Sequence, residues 1–286
     1  MNRFLLENRK ELEDDQFIVP LVNINLYEQI SDKLSFSHLC KKKKIKIPKE
    51  FDDISNITIP FVAKPKKYKI DGDITVEKPI LIMNDNDLKL FISKKNKDNF
   101  YFQEFIGGSS FYLLYYFNKD GSYSVYSQNN LIQQDNGLSI IGAKSSNFHH
   151  NKVSNDYASL LQGKGFEGLI MIEVKMFKNE IFMIEANPRL WGPSQLILDA
   201  NMDLFYHFAT DFNLISGDLI FNLDYKENIT YFWSGGIHED LSKNNLLAFH
   251  CYDQAIFLKE YNNWVINDVY LKNDSISLYF HELKKK

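Results

Sequence analysis

The chain has almost no cysteine, with Cys40 and Cys251 the two present among 286 residues. That excludes the disulfide framework of a small secreted domain and fits a reducing cytoplasm. Seven prolines and 13 glycines are too few for a collagenous or low-complexity chain. No apolar run approaches the roughly 18 residues of a membrane-spanning helix. The N-terminus, Met-Asn-Arg-Phe-Leu-Leu-Glu-Asn, turns charged before a signal-peptide core could form. An excess of positive charge is missing too. Lys and Arg number 33 against 37 Asp and Glu, a net charge of −4, so neither nucleic acid nor a membrane is an expected partner. What remains is an ordinary globular composition, 44% apolar and 24% charged, long enough for one large or two modest domains. The 23 Phe and 16 Tyr read as strand and core filler.

Along the chain, a short strand is expected over 17–21, ended by Pro20, after a charged helical segment. Ser31 is the expected N-cap of a helix carrying Phe36, Leu39 and Cys40, with Lys41–Lys44 at its negative pole. Strands follow over 59–64 and 79–83, with a loop over 66–78, then a helix over 87–95 capped by Asn86 and strands over 100–106, 111–117 and 123–126. Asn118-Lys119-Asp120-Gly121 is a turn signal. Residues 127–156, rich in Asn, Gln, Ser and His, lose all periodicity and read as a loop or lid. It carries Lys144, His149 and His150, which read as part of a mobile surface. Short alternations in 229–233 and 264–270 suggest a β-rich C-terminal extension, and the tail 284–286 is expected to be disordered.

The segment 168–191 carries the chemistry: GLIMIEVKMFKNEIFMIEANPRLW. Ile170, Ile172, Val174 and Met176 alternate as one apolar face, and Phe182, Ile184 and Ala186 do the same. A hairpin must put both sets on one side. The expected pairs are therefore Met176–Phe182, Val174–Ile184 and Ile172–Ala186 around a three-residue loop. This register sets Glu173 opposite Glu185, with Cβ atoms about 5 Å apart, and points Asn187 the same way. Two facing carboxylates repel, and nothing on the hairpin neutralises them. A hard cation bridging both would, since Mg²⁺ takes oxygen ligands and commonly links carboxylates to phosphates. Two solvated glutamates are the alternative; the Glu-x-Asn-Pro-Arg run favours the metal.

Glu173 with Glu185-Ala186-Asn187-Pro188-Arg189 resembles the metal-binding end of the ATP-grasp superfamily, which includes biotin carboxylase, carbamoyl phosphate synthetase and D-alanine–D-alanine ligase. Other segments resemble the family in order: Asp32-Lys33-Leu34 with Ile45-Lys46-Ile47-Pro48, Phe61-Val62-Ala63-Lys64-Pro65, Gln103-Glu104-Phe105-Ile106-Gly107-Gly108, and Ala200-Asn201-Met202-Asp203-Leu204. The resemblance spans roughly residues 15–217. It implies an α+β fold of two α/β lobes clasping ATP. The small lobe would be 48–105 and the large lobe 106–217, preceded by a remnant N-terminal segment and linking helix over 1–47 and followed by the extension over 218–286. It implies that Lys33 and Lys64 contact phosphates, that Gln103, Glu104 and Ile106 hold adenine, and that Ser110 stands where a ribose-binding glutamate often does. Glu173, Glu185 and Asn187 would hold Mg²⁺ or Mn²⁺, with Arg189 catalytic. Taken alone, Lys64 reads equally well as a snorkelling strand-end lysine.

The implied activity is a ligase joining a small-molecule carboxylate to an amine or thiol through an acylphosphate, with ADP and phosphate released. A hydroxyl-phosphorylating kinase and a non-catalytic ATP-binding regulatory module are the alternatives. Three departures bear on this: Lys66-Lys67-Tyr68-Lys69-Ile70-Asp71-Gly72 replaces the glycine-rich phosphate loop, Ser110 replaces the glutamate, and only about 30 residues precede Asp32. Either the N-terminal domain is reduced here, or a homodimer partner or another chain supplies it.

Overall fold

The computed structural model describes residues 2–66, 78–215, 224–243, 245–275, 277 and 280–281. The 67–72 part of the expected phosphate loop and the 284–286 tail lie outside the described residues. Two antiparallel sheets and their helices make an α+β fold.

The small sheet, ordered β1-β4-β2-β3, joins β1 (Glu50–Phe51), β2 (Phe61–Pro65), β3 (Ile80–Ile82) and β4 (Phe100–Glu104). Phe61, Ala63, Ile82, Phe100 and Phe102 form its apolar face. Helix α5 (Asp85–Lys94) covers that face, its Phe91 ring standing edge-on to Phe100 at 5.2 Å and Phe102 at 6.1 Å. Alternation turns Val62, Lys64, Tyr101 and Gln103 to the opposite face. The cap of α5 is Asn84, which accepts from the Asn86 and Asp87 amides, so Asn86 falls in the first turn.

The large sheet has the order β10-β7-β6-β5-β8-β9, built from β5 (Ser109–Phe117), β6 (Tyr123–Gln133), β7 (Ile140–Ser146), β8 (Gly168–Phe177), β9 (Glu180–Asn187) and β10 (Thr230–Phe232), with β11 (Ala248–Phe249) pairing β6. Phe111, Leu113, Phe117, Ile172 and Val174 on one face meet Phe36 and Leu39 of α4 (Lys33–Lys42) and Tyr157 and Leu161 of α6 (Lys152–Gln162). On the other face Leu114, Tyr116 and Met171 pack against Leu196 and Ile197 of α7 (Gln195–Asp199) and Leu204 of α8 (Leu204–Asp211).

The expected loop over 127–156 is ordered strand and helix: β6 runs to Gln133, β7 follows, and α6 starts at Lys152. Ser127, Gln128, Asn130 and Gln133 are buried, so a strand lined by polar groups lost the apolar alternation that marks strands. Among its described residues the C-terminal region is not β-rich. Besides the short β10 and β11 it forms α9 (Ser234–Ser242), α10 (Gln254–Lys259) and α11 (Tyr261–Val265). Phe257, Trp264 and Val265 share one cluster, and their spacing of seven and eight is helical.

The N-terminal residues form α1 (Asn2–Glu7), α2 (Arg9–Asp14) and α3 (Ile24–Ser31). The strand expected over 17–21 is absent because Arg9 takes its carbonyls, donating to Val19 at 3.3 Å, to Leu21 and to Val22 at 3.0 Å. Helix α4 is capped by Asp32, whose Oδ1 accepts from the Ser35 amide at 2.8 Å, while Ser31 ends α3.

Candidate active site

The β8–β9 hairpin keeps the expected register at one end and loses it at the other. Ile172 faces Ala186 and Glu173 faces Glu185, but Val174 faces Met183 and Met176 faces Ile181, with an irregularity between. The turn decides this. Lys178 (φ 50°) and Asn179 (φ 61°) are both left-handed, so the loop has two residues and the twist of a primed turn. A bulge at Ile184 absorbs the extra residue. On its turn side Ile181 and Met183 therefore face the core in place of Phe182 and Ile184.

Between the sheets lies a cavity of about 540 Å³, lined by Val62, Lys64 and Leu81 of the small sheet and Tyr112, Glu173 and Glu185 of the large one. Residues 103–108 form the strap between sheets and also line it. Gly108 sits at φ +89°, where a Cβ would meet the Met176 carbonyl oxygen at 2.2 Å, so this close approach of strap to hairpin requires glycine.

Gln103 is buried; its Nε2 donates to Glu50 Oε1 at 3.2 Å and its Oε1 has no donor among the described residues. The Glu104 amide donates to the Lys49 carbonyl at 2.9 Å, so it is not free for a ligand. Ile106 is buried and lines the cavity. Lys64 is 5% exposed and donates to the Ile184 carbonyl, at the bulge, at 3.0 Å. Burial, aided by the Lys33 charge, pushes its ammonium down to about 7. Two of its three N–H bonds have no acceptor among the described residues, an arrangement that favours an anion.

Lys33 lies across the cavity, ion-paired with Glu185 Oε2. Burial brings its pKa down to about 8, against the pull of Glu173 and with the push of Arg189. The facing glutamates thus do have an ion-pair partner, and it comes from α4. Asn187 Nδ2 donates to Glu185 Oε1 at 2.6 Å, and Ser110 Oγ to Glu173 Oε1 at 3.2 Å. Arg189 is exposed, donating to the Leu190 carbonyl at 3.0 Å. It lines a second, apolar cavity of about 360 Å³ with Leu169, Phe205 and Phe208. Ser110 is fully buried beside Glu173 and does not line the main cavity.

Two residues that the sequence reading passed over stand in the cavity. Lys175 follows Glu173 by two on the same strand face, with its Nζ 5.4 Å from the Phe105 ring, and burial lowers its pKa. Alternation alone could have found it. His250 comes in with β11; its Nε2 lies 2.7 Å from Gln133 Oε1, and burial holds it neutral with a pKa of about 4. No local signal marks it. His149 instead contacts Ser127 Oγ at 3.0 Å, and neither it nor His150 lines the cavity.

Among the described residues no three His, Cys, Asp or Glu side chains converge as a metal-ligand group. The oxygen set here is two carboxylates and one amide.

No protein-family model matches the sequence, and no curated protein matches it. Solved structures do. The chain is 14% identical to a β,γ-ATP complex of biotin carboxylase from Campylobacter jejuni, covering 79% of this chain and 56% of that one at a TM-score of 0.58. It is 12% identical to the biotin carboxylase domain of the Hydrogenobacter thermophilus 2-oxoglutarate carboxylase, solved with MgADP and bicarbonate, covering 79% and 55% at 0.59. It is 12% identical to an ADP complex of N5-carboxyaminoimidazole ribonucleotide synthetase, covering 93% and 77% at 0.60. The chain spans just over half the length of the two biotin carboxylase structures. At these identities the likeness is one of fold.

Proposed function

With the ATP-grasp fold as premise, we propose that this chain is an ATP- and Mg²⁺-dependent ligase that joins a carboxylate to an amine or thiol. One observation carries the reading. One buried and one half-buried ammonium ion, Lys64 and Lys33, both incompletely satisfied among the described residues, border the same 540 Å³ cavity as the facing Glu173 and Glu185. Ammonium ions ask for phosphate, and facing carboxylates ask for a hard cation. Gln103 supports the nucleotide, since its orphaned Oε1 is the acceptor that an exocyclic adenine amine would satisfy.

The donor chemistry fits Mg²⁺: Glu173, Glu185 and the Asn187 amide offer hard oxygens, and Lys33 marks where positive charge already sits. A cation held there would draw charge from the β- and γ-phosphates. The chain's own residues do the rest. Lys64 stays on the phosphates, Lys33 exchanges Glu185 for a phosphate oxygen, and the strap over 103–108 holds the base. Residues 48–105 and 106–217 act as the two lobes. Arg189 lines the second cavity but lies close enough for its charge to act on Lys33, and it would have to turn from the Leu190 carbonyl to meet charge that develops as the γ-phosphoryl moves. A carboxylate oxygen attacks the γ-phosphorus and the bond to the β-phosphate oxygen breaks, giving an acylphosphate and ADP. The amine or thiol then attacks the carbonyl carbon, loses its proton, and phosphate departs with the original carboxylate oxygen.

Millimolar Mg-ATP is expected to raise the melting temperature, as any ligand of the native state does; no shift would remove the nucleotide assignment. An ¹⁸O-labelled carboxylate is expected to deliver label to the released phosphate. Phosphorylated product without such transfer would indicate a kinase.

A further inference from the structure

Beside Glu173 lies a line of buried polar side chains that the nucleotide reading does not use. Ser110, Asn130 and Gln128 are each fully buried and point to the same face of the large sheet, Ser110 pairing with Asn130 across β5 and β6. Gln128 Nε2 lies 2.7 Å from Asn130 Oδ1, Asn130 Nδ2 lies 3.0 Å from Ser110 Oγ, and Ser110 Oγ lies 3.2 Å from Glu173 Oε1.

The order of donors is forced from one end. A serine hydroxyl has one proton, and a carboxylate can only accept. Once Ser110 donates to Glu173, Asn130 must turn its amide nitrogen to Ser110. Its oxygen is then left for Gln128, which must also present nitrogen. Every donor points toward Glu173, and the Gln128 oxygen is left at the far end without a partner. Aligned dipoles in a buried row reinforce one another.

We propose that Gln128, Asn130 and Ser110 form a one-way hydrogen-bond relay that aims the Glu173 carboxylate into the cavity, making the three of them positioning residues. The proposal rests on the nucleotide and metal reading above only for what Glu173 is aimed at. The relay accounts for why three polar residues are fully buried in the middle of a sheet, where unpaired polar groups are costly. It also gives Ser110 a place beside the carboxylate instead of on a ribose.

The test measures Mn²⁺ affinity of the ADP complex by titration, ADP affinity without metal, and the melting temperature of the ligand-free chain. Ser110→Ala is expected to weaken Mn²⁺ about 10-fold, the usual scale for groups that orient a ligand, and to leave metal-free ADP affinity within twofold. Ser110→Thr, which keeps the hydroxyl, is expected to restore it. Asn130→Asp gives the sharpest reading. An added carboxylate near a cation site strengthens cation binding by plain attraction. In the relay it takes the Ser110 proton away from Glu173, and Mn²⁺ affinity falls below that of Asn130→Ala. Tighter Mn²⁺ binding by Asn130→Asp, or unchanged binding by Ser110→Ala, overturns the relay. Wild-type chain that takes up no Mn²⁺ with ADP overturns the nucleotide reading instead. The ligand-free melting order then decides the relay: Asn130→Asp below Asn130→Ala supports it, and equal values overturn it.

Discussion

Strands β5 and β8 carry two faces with opposite duties. On one, Phe111, Leu113, Phe117, Ile172 and Val174 pack against α4 and α6 and are all but closed to solvent. On the other, at the end nearest the cavity, Ser110, Glu173 and Lys175 alternate with them and Gln128 and Asn130 of β6 continue the polar row, while Leu114, Tyr116 and Met171 keep the far end of that face apolar. The first face holds the sheet by area removed from water, and it tolerates no charge. The second face keeps charge and hydrogen-bonding capacity in low-dielectric surroundings, at a cost to stability that the first face offsets. The same strand therefore answers in opposite ways to substitutions one residue apart.

The largest expected effect is Ile172→Asp. It places an unpaired carboxylate in the fully buried apolar face, a penalty above about 4 kcal/mol, so the chain is expected in the insoluble fraction or without a cooperative melting transition. Glu185→Gln, on the chemical face of the neighbouring strand, is expected to fold and to lose Mg-dependent turnover to below about 1% of wild type. Its melting temperature falls by only a few degrees, because Lys33 loses the part-exposed partner that it holds now. Full turnover by Glu185→Gln would remove Glu185 from the metal set, and a soluble, cooperative Ile172→Asp would undo the contrast between faces.

The apolar face was legible because its alternation is uninterrupted in β5 and β8. The polar face was not. A strand whose inward residues are Gln128 and Asn130 looks like a loop to any count of apolar periodicity, although its burial is complete. The hairpin was half legible: hydrophobic pattern placed Glu173 opposite Glu185, but Lys178-Asn179 imposed a tight turn, and the conflict was resolved by the bulge at Ile184. Of the residues singled out in the sequence, Lys33, Lys64, Gln103, Glu104, Ile106, Glu173 and Glu185 line one cavity, and Ser110, Asn187 and Arg189 do not. His250 reaches it through a pairing 117 residues away in sequence, a distance over which no local pattern reports.

Lys64→Met is expected to separate function from stability on a single residue. Removing a buried ammonium with few acceptors relieves desolvation, so the ligand-free chain gains about 1–3 kcal/mol at pH 7, while Mg-ATP affinity falls at least about tenfold. The sign with pH is fixed by the lowered value. Folded, the ammonium titrates near 7 instead of 10.5, so between those values the unfolded chain binds a proton that the native one does not. Wild-type stability therefore gains a rising contribution from pH 7 towards 10.5. Denaturation midpoints at pH 7 and 9.5 are expected to diverge less in Lys64→Met than in wild type. Parallel shifts would mean that Lys64 is not carrying a buried charge.

The smallest effect is expected at the turn end of the hairpin, far from the chemistry. Lys178 sits at φ 50° followed by Asn179 at φ 61°. Asparagine tolerates that region, because its short polar side chain bonds locally, whereas lysine pays for its Cβ against the carbonyl. Lys178→Asn keeps the primed turn and removes that strain, with an expected gain of about 0.5 kcal/mol. The Lys178 side chain also lies over the Phe177 ring at 5.2 Å, an exposed contact whose loss offsets part of the gain. Because the bulge at Ile184 already separates turn register from site register, Mg-ATP affinity is expected to stay within twofold. Deleting Glu180 tests the same separation from the other side: with the two-residue turn kept, Met176 would face Phe182, the need for the bulge would go, and the Ile184 carbonyl would be withdrawn from Lys64. A Glu180-deleted variant with unchanged Mg-ATP affinity would show that the bulge carbonyl does not place Lys64.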